Sequence, residues 1–332
     1  MINVTVILLN AGLPSTAVGP IEVFQCAGTL WNTFVDESPQ PYFDVTSASV
    51  DGGPVHCAAP MVITADKGIE EIDKTDLVFI PTGGIDAEAM LTRHAPLVPW
   101  LRHQHESGAI VAQVCTGVAF AAAAGLLNGR RATTHWAAAK AYAQQFPEVD
   151  WQPEFLVTEQ DRILCGGGVY SAIDLALYLV EKLCGHQVAL DTARALLIDM
   201  PRTYQSGYAV LPISQPHEDA LIRRAEEWMQ QNFTQPIRFD DIADWVGMSP
   251  RNFARRFKAA TGKLPGAYLQ ELRISAARAR IEGGSKPIQV IGREVGYEDL
   301  NHFRDLFRRH TGMSPADYRV RFGSAFAPRV EA

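Results

Sequence analysis

Residues 237–322 spell out one small helical unit twice, and no other feature restricts the possible folds of the chain so tightly. The first copy runs from Phe239 to Gly247, continues through Met248-Ser249-Pro250 to Phe253 and Phe257, and closes with Thr261-Gly262, Pro265 and Tyr268. The second runs from Ile288 to Gly296, carries Phe303 and Phe307, and closes with Thr311-Gly312, Pro315 and Tyr318. Gly247 and Gly296 are 49 residues apart, whereas Phe253 and Phe303, like Gly262 and Gly312, are 50 apart. One extra residue therefore sits in the second turn. Units this short bury too little apolar surface alone and pack on one another.

Each copy predicts two helices joined by a tight turn. In the first, Ile242, Trp245 and Val246 give a short helix its apolar side, and Gly247 supplies the left-handed residue that stops it. Ser249 is placed to cap a new helix and Pro250 to occupy its first position. Phe253 and Phe257 share a face with Ala260 beside them, while Arg251, Arg255 and Lys258 project the other way. In the second copy Asp299 takes the capping position, and Phe303, Leu306 and Phe307 face inward. Asn301, Asp305 and Arg308 face out, with Arg304 on the flank.

A solvated basic face is ordinary on a single helix; the same glycine, cap and phenyl pair occurring twice is not. Such a helix suits a DNA major groove, where Arg pairs with guanine, Asn with adenine and Asp with cytosine. The base-reading candidates are Arg251, Arg255, Asn301 and Arg304. Ala254 offers a methyl contact, and Asn252 and Leu300 complete the DNA-contacting set. Lys258 and Arg308, with helix N-terminal amides, are placed to hold phosphates. Residues 265–281 read as one long helix of about 25 Å, able to set the units about one DNA turn, ~34 Å, apart. A further helix at 217–232, with Leu221, Ala225, Trp228 and Met229 on one stripe, precedes them.

The pattern resembles the AraC/XylS family of transcription regulators. That family's second helix-turn-helix followed by Phe-x-x-x-Phe, Thr/Ser-Gly and Pro-x-x-Tyr-Arg stands here from Phe303 to Arg319. The match covers about 100 residues, and Asp305 stands where the family usually carries Arg.

At 332 residues the chain has room for two or three domains, and its 47% apolar content can fill their cores. Its charge is unevenly divided. From His217 onward 19 Lys and Arg face 15 Asp and Glu, a balance of +4, while the residues before it carry −11. The positive excess lies with the repeats, as phosphate binding requires, and the acidic front portion is no DNA binder by itself. Five scattered cysteines (Cys26, Cys57, Cys115, Cys165, Cys184) form no CxxC and no Cys/His metal-ligand spacing. Reduced thiols in a cytoplasmic protein, without a bound metal, are the expectation. The N-terminal apolar stretch has no basic lead-in and no cleavage site, and is too short to span a bilayer; it reads as a buried strand.

Residues 1–200 alternate strand-like stretches at 2–9, 42–50, 76–80, 109–114 and 163–164 with helix-like ones. The helices open at Gly19-Pro20 and cover 97–106, 118–126 and 172–183. This alternation predicts a mostly parallel sheet with helices on both faces. Cys115 ends an apolar strand and leads through Thr116-Gly117 into a helix, the outline of a nucleophile elbow. A thiol at a helix N-terminus is expected to have a lowered pKa, although a simple core cysteine fits the same spacing. Gly83 and Gly84 end a neighbouring strand and can bring backbone N–H groups to the same carboxyl edge, where open α/β sheets bind ligands.

This part of the chain is similar to the ThiJ/PfpI (DJ-1/PfpI, class I glutamine-amidotransferase-like) family. The matching residues are Gly19-Pro20-x-Glu22-Val23-Phe24, the run 76–84, Val114-Cys115-Thr116-Gly117, the run 124–136 and Asp174. Coupled to the AraC-type tail, the whole resembles the GlxA-type regulators. The resemblance implies a flavodoxin-like αβα sandwich over 1–200 and an all-α domain with two helix-turn-helix units over 217–322. Between them 201–216, with three prolines and a glycine, reads as a linker, and 323–332 as a tail.

Active relatives often carry His directly after the cysteine, where Thr116 stands, and hydratase-like relatives carry an acid where Thr16 stands. Glu22 and His135 are the remaining candidate bases. Cys115 is therefore expected to be a vestigial nucleophile, with neither catalysis nor a cofactor. The pocket is expected to hold a small-molecule effector through Glu22, Gly83, Gly84, Cys115, Thr116 and His135. A thiol-dependent hydrolase or hydratase with an accessory DNA-binding tail is the alternative, and a bare dimerisation scaffold a third reading. The implied partners are promoter DNA, the effector, a second copy of the chain and RNA polymerase, with no membrane.

Overall fold

The computed structural model describes residues 1–199, 217–284 and 286–322. The chain divides into two compact units, Met1–Ser206 and Gly207–Ala332. The linker expected at 201–216 and the tail at 323–332 lie outside the described residues.

The first unit is built on a seven-stranded sheet. Its strands are β1 (Ile2–Ile7), β2 (Phe43–Ser49), β3 (Lys67–Gly68), β4 (Leu77–Ile80), β5 (Ile110–Val114), β6 (Val157–Gln160) and β7 (Ile163–Gly166). In space they run β6-β7-β5-β4-β1-β2-β3, and only β6 with β7 is antiparallel. The chain winds one way from β1 to β2 and the other way from β1 to β4. This reversal opens a crevice at the carboxyl ends of β1 and β4. The half-polar β6 and the two-residue β3 carry no apolar run, and the sequence reading passes over both.

Side-chain alternation sorts the sheet residues onto two faces. Val4, Val6 and Leu8 join Phe79, Val114 and Leu164 in one core, completed by α1 (Ser15–Cys26), α7 (Ser171–Cys184) and α8 (His186–Leu196). Ile7 and Leu9 join Val78, Ile80 and Val111 in the other. That core is covered by α3 (Ala87–Arg93), α4 (Leu97–Glu106), α5 (Ala119–Ala123) and α6 (Ala139–Gln145). The short α2 (Leu30–Phe34) follows α1. The result is the flavodoxin-like αβα arrangement.

Two helix boundaries differ from the expected ones. The first helix starts at Ser15, so Pro20 lies inside it and buried rather than in its first turn. A proline there forfeits one backbone hydrogen bond, which burial of its ring against the core offsets. After β5 the chain makes a 3₁₀ turn over Cys115–Val118 before α5, and α5 ends at Ala123 because Gly125 turns left-handed at φ +72°.

The second unit contains α9 (Ala220–Asn232), α10 (Phe239–Trp245), α11 (Pro250–Thr261), α12 (Pro265–Glu282), α13 (Ile288–Glu294), α14 (Leu300–Thr311) and α15 (Pro315–Phe322). The repeat in the sequence is a repeat in space. Phe253, Phe257 and Tyr268 stack edge-on at 5.4 and 5.3 Å; Phe303, Phe307 and Tyr318 do so at 5.8 and 5.3 Å. Thr261 and Thr311 each donate to the phenylalanine carbonyl four residues back, at 2.8 Å in both units. Gly262 and Gly312 then stop their helices at φ +78°. Trp245 departs from its expected inward position: it is 49% exposed, with Arg224 over its ring. No described helix is long and apolar enough to cross a membrane.

Candidate effector crevice and DNA-reading faces

The carboxyl ends of β4 and β5 meet through a glycine. A β-carbon on Gly117 would lie 2.2 Å from Pro81 O, so only glycine lets the Cys115 turn approach the end of β4 this closely. Cys115 sits at the apex with φ +55°, a left-handed conformation that a β-carbon makes costly. The turn is pinned from the far side. Thr134 Oγ1 donates to Cys115 O at 2.8 Å, and Tyr142 Oη donates to Thr116 O at 2.9 Å. Thr16, at the start of α1, accepts from Thr82 N at 3.1 Å and donates to Leu13 O at 2.7 Å. The residue standing where hydratase-like relatives carry an acid is thus a structural pin.

Cys115 is buried, and burial pushes its thiol pKa up. The hydroxyls of Thr82 and Thr116 and the Thr116 N–H favour the thiolate, but desolvation prevails. This reverses the expected lowering, because the turn after Cys115 is a single 3₁₀ turn deep in the core rather than an exposed helix start. Apart from their approach to the sulfur, Thr82 Oγ1 and Thr116 Oγ1 are buried without a hydrogen-bond partner, two donors flanking Cys115. Gly83 is enclosed, since a β-carbon would strike Met90 Sδ at 2.3 Å, and Gly84 needs its φ of +110°. Beside them Leu9, Gly12, Leu13, Cys57, Pro81 and Thr82 line a cavity of about 10 Å³, room for about one water.

The other expected pocket residues divide. His135 adjoins Thr134, stacks on Trp136 at 5.3 Å, and accepts from Ala137 N through Nδ1 at 3.1 Å. That bond places its proton on Nε2, and burial lowers its pKa, so the ring is neutral near pH 7. Glu22 is exposed on α1, where its charge reaches Cys26. It is not brought to the crevice. Thr82 and Thr134 went unnoticed as contributors, although each sits beside a residue singled out in the sequence.

In the second unit both reading helices start on the expected caps. Ser249 accepts from Asn252 N, and Asp299 accepts from Asn301 N at 2.8 Å and His302 N at 3.2 Å. Phe253, Phe257, Phe303 and Phe307 are fully buried, while Arg251, Arg255, Lys258, Asn301, Arg304 and Arg308 are exposed. Asn252, Ala254 and Leu300 are half-buried at the edges of those faces. Each face holds an amide–guanidinium pair: Arg255 donates to Asn252 at 2.9 Å and Arg304 to Asn301 at 3.4 Å. Arg256 is unavailable to a ligand. Its guanidinium grips the Asp219 carboxylate at 2.8 and 3.0 Å, tying α11 to the start of α9.

Comparison with known proteins matches the DJ-1/PfpI family to residues 17–182 and a helix-turn-helix domain to residues 242–321. The HTH-type transcriptional regulator CdhR of Pseudomonas aeruginosa is 28% identical over 82% of this chain and 80% of its own. ArgR of the same organism is 30% identical over 68% and 69%, and GlxA of Rhizobium meliloti 25% over 86% and 87%. Among solved structures, an AraC family transcriptional regulator from Pseudomonas putida shares the first unit's fold with TM-score 0.51 and 20% identity. It aligns over 59% of this chain and 100% of its own. Drosophila melanogaster DJ-1beta aligns with TM-score 0.50 and 21% identity over 59% and 98%. With both matches and relatives of one kind over more than two thirds of the chain, the chain belongs to the DJ-1/PfpI family and is a DNA-binding transcription regulator that joins this fold to an AraC-type helix-turn-helix domain.

Proposed function

We propose that this regulator reads double-stranded promoter DNA with α11 and α14 and adjusts that binding to a small molecule held at the Cys115 crevice. One observation carries the DNA reading: two copies of one aromatic-rooted helix turn Arg, Asn and Lys outward on matching faces. Arg251, Arg255, Asn301 and Arg304 contact bases, and Lys258 and Arg308 hold phosphates. The hydroxyls of Thr82 and Thr116, buried with no partner but the weakly accepting thiol, support a ligand in the crevice, since a buried donor left without a good acceptor costs up to about 1–3 kcal/mol. Gly84, Cys115 and His135 complete that site. A sensor is favoured over a hydrolase because the thiol is held protonated and no hydrogen bond joins it to His135 among the described residues. The protein works in the cytoplasm as a homodimer acting on RNA polymerase, with the domain limits 1–200 and 217–322 given above.

Titrating the full chain with an operator fragment in the presence of candidate metabolites tests the sensor. Wild type should respond to one of them, and Cys115→Ala and Thr116→Val should shift or abolish the response. An effector response identical in all three proteins rules out this location. Any effector that changes DNA affinity must have its own affinity changed by DNA to the same factor, which isothermal titration can check.

A further inference from the structure

The phenyl pairs, threonine bonds and glycine stops correspond between the two helix-turn-helix units, but their turns do not. Gly247, in the first turn, has φ +71° and open space around it. Gly296, in the second, has φ +92° and is crowded: a β-carbon would lie 2.9 Å from Thr234 O and 3.0 Å from Arg273 Cζ. The second turn is therefore pressed against the loop that leads from α9 into α10.

Arg273, midway along α12, makes the joint. Its Nε donates to Phe233 O at 2.8 Å and its Nη2 to Gln235 O at 2.9 Å, both in that α9–α10 loop. The same guanidinium lies over the ring of Tyr297, 5.3 Å from its centre. Tyr297 follows Gly296 in the longer turn and packs at 5.4 Å on Phe303, the aromatic root of α14. Phe233 packs against both apolar clusters of the unit. One side chain thus touches the approach to the first reading helix and the turn before the second. Without that joint, bending of α12 by about 5° over its ~27 Å would displace its far end by about 2 Å.

We propose that Arg273 is a positioning residue that sets the separation and angle of α11 and α14, and so determines which spacing of half-sites the protein accepts. The inference rests on the two-helix DNA reading above. Arg273 does not itself contact phosphate: it is half-buried, and its donors already serve Phe233 and Gln235.

The test uses the full chain and a binding site selected from a random DNA pool. The segment between the two unit footprints is then lengthened by one or two base pairs. Wild type should lose about tenfold or more in affinity on lengthening, the scale of a mismatched base pair. Arg273→Gln, with helical content unchanged by circular dichroism, should bind the original site more weakly yet lose less than about threefold on lengthening. A folded Arg273→Gln protein that keeps the full wild-type penalty overturns the proposal. Should that variant not fold, Arg273→Lys and Tyr297→Leu carry the same comparison with the same two outcomes. A wild type indifferent to lengthening would instead overturn the two-helix reading, and this inference with it.

Discussion

His94 shows how one buried side chain can tie stability to pH. Its ring is 2% exposed, with Nδ1 bonded to Met90 O at 3.0 Å and Nε2 accepting from Asn10 N at 3.1 Å. Only the neutral ring, with its proton on Nδ1, can make both bonds. Asn10 in turn accepts from His56 N at 2.9 Å, so the imidazole holds the loop that follows β1 at the crevice. Burial pushes the His94 pKa below its ordinary value, and burial does the same to His135 and His310. Above the unfolded value of about 6.5 both folded and unfolded forms are neutral and stability is complete. Below it the unfolded chain binds protons that the folded one refuses, so stability falls with pH and levels off only beneath the folded pKa. Melting temperature should accordingly drop between pH 7.5 and 5.5, and His94→Gln should flatten the drop. Cys115 gives a second outcome at this scale. Its raised pKa and burial predict alkylation slower than that of a free cysteine at pH 7, accelerating only in alkali; fast labelling on peptide mapping would contradict the protonated-thiol account.

At the scale of elements, stability of the DNA-reading unit rests on phenyl rings that never meet DNA. Phe257 and Phe307 are fully buried, each between a second phenylalanine and a tyrosine. Truncating either to alanine should cost about 3–5 kcal/mol, while truncating Arg255 should leave stability nearly unchanged and cost about 1–3 kcal/mol at the cognate site alone. Chemical denaturation separates the two effects, and similar stability losses for all three variants would refute the division. These helices were legible because glycine, cap and aromatic spacing are local signals, and Gly247, Ser249, Asp299 and Gly312 behave as their positions predict. The elbow at Cys115 was legible for the same reason. The direction of its pKa shift was not, because desolvation is set by α1, α7 and the sheet, which no local window contains. Glu22 was assigned to the crevice on its motif alone; its place on α1 turns it to solvent. Arg256, given no role from the sequence, is held by Asp219, 37 residues earlier, a pairing no local spacing reveals.

Across the whole molecule the decisive property is the separation of charge. An overall −7 would oppose binding to a polyanion if it were spread evenly, but the +4 of the residues from His217 onward concentrates cations on the repeated unit. Phosphate contacts displace condensed counterions, so affinity should fall linearly on a log–log plot against salt, with a slope near −0.9 per phosphate neutralised. This supplies a way to sort the exposed cations that geometry alone leaves alike. Lys258→Ala and Arg308→Ala should each flatten the slope by about one and weaken binding to operator and random DNA equally. Arg255→Ala should leave the slope closer to that of the wild type and weaken the operator far more than random sequence, since a base contact adds discrimination on top of charge. Fluorescence anisotropy on both DNAs between about 50 and 200 mM salt resolves the difference. If Arg255→Ala flattens the slope while Lys258→Ala changes only the operator, the two roles are exchanged, and α11 enters the groove rotated from the orientation proposed here.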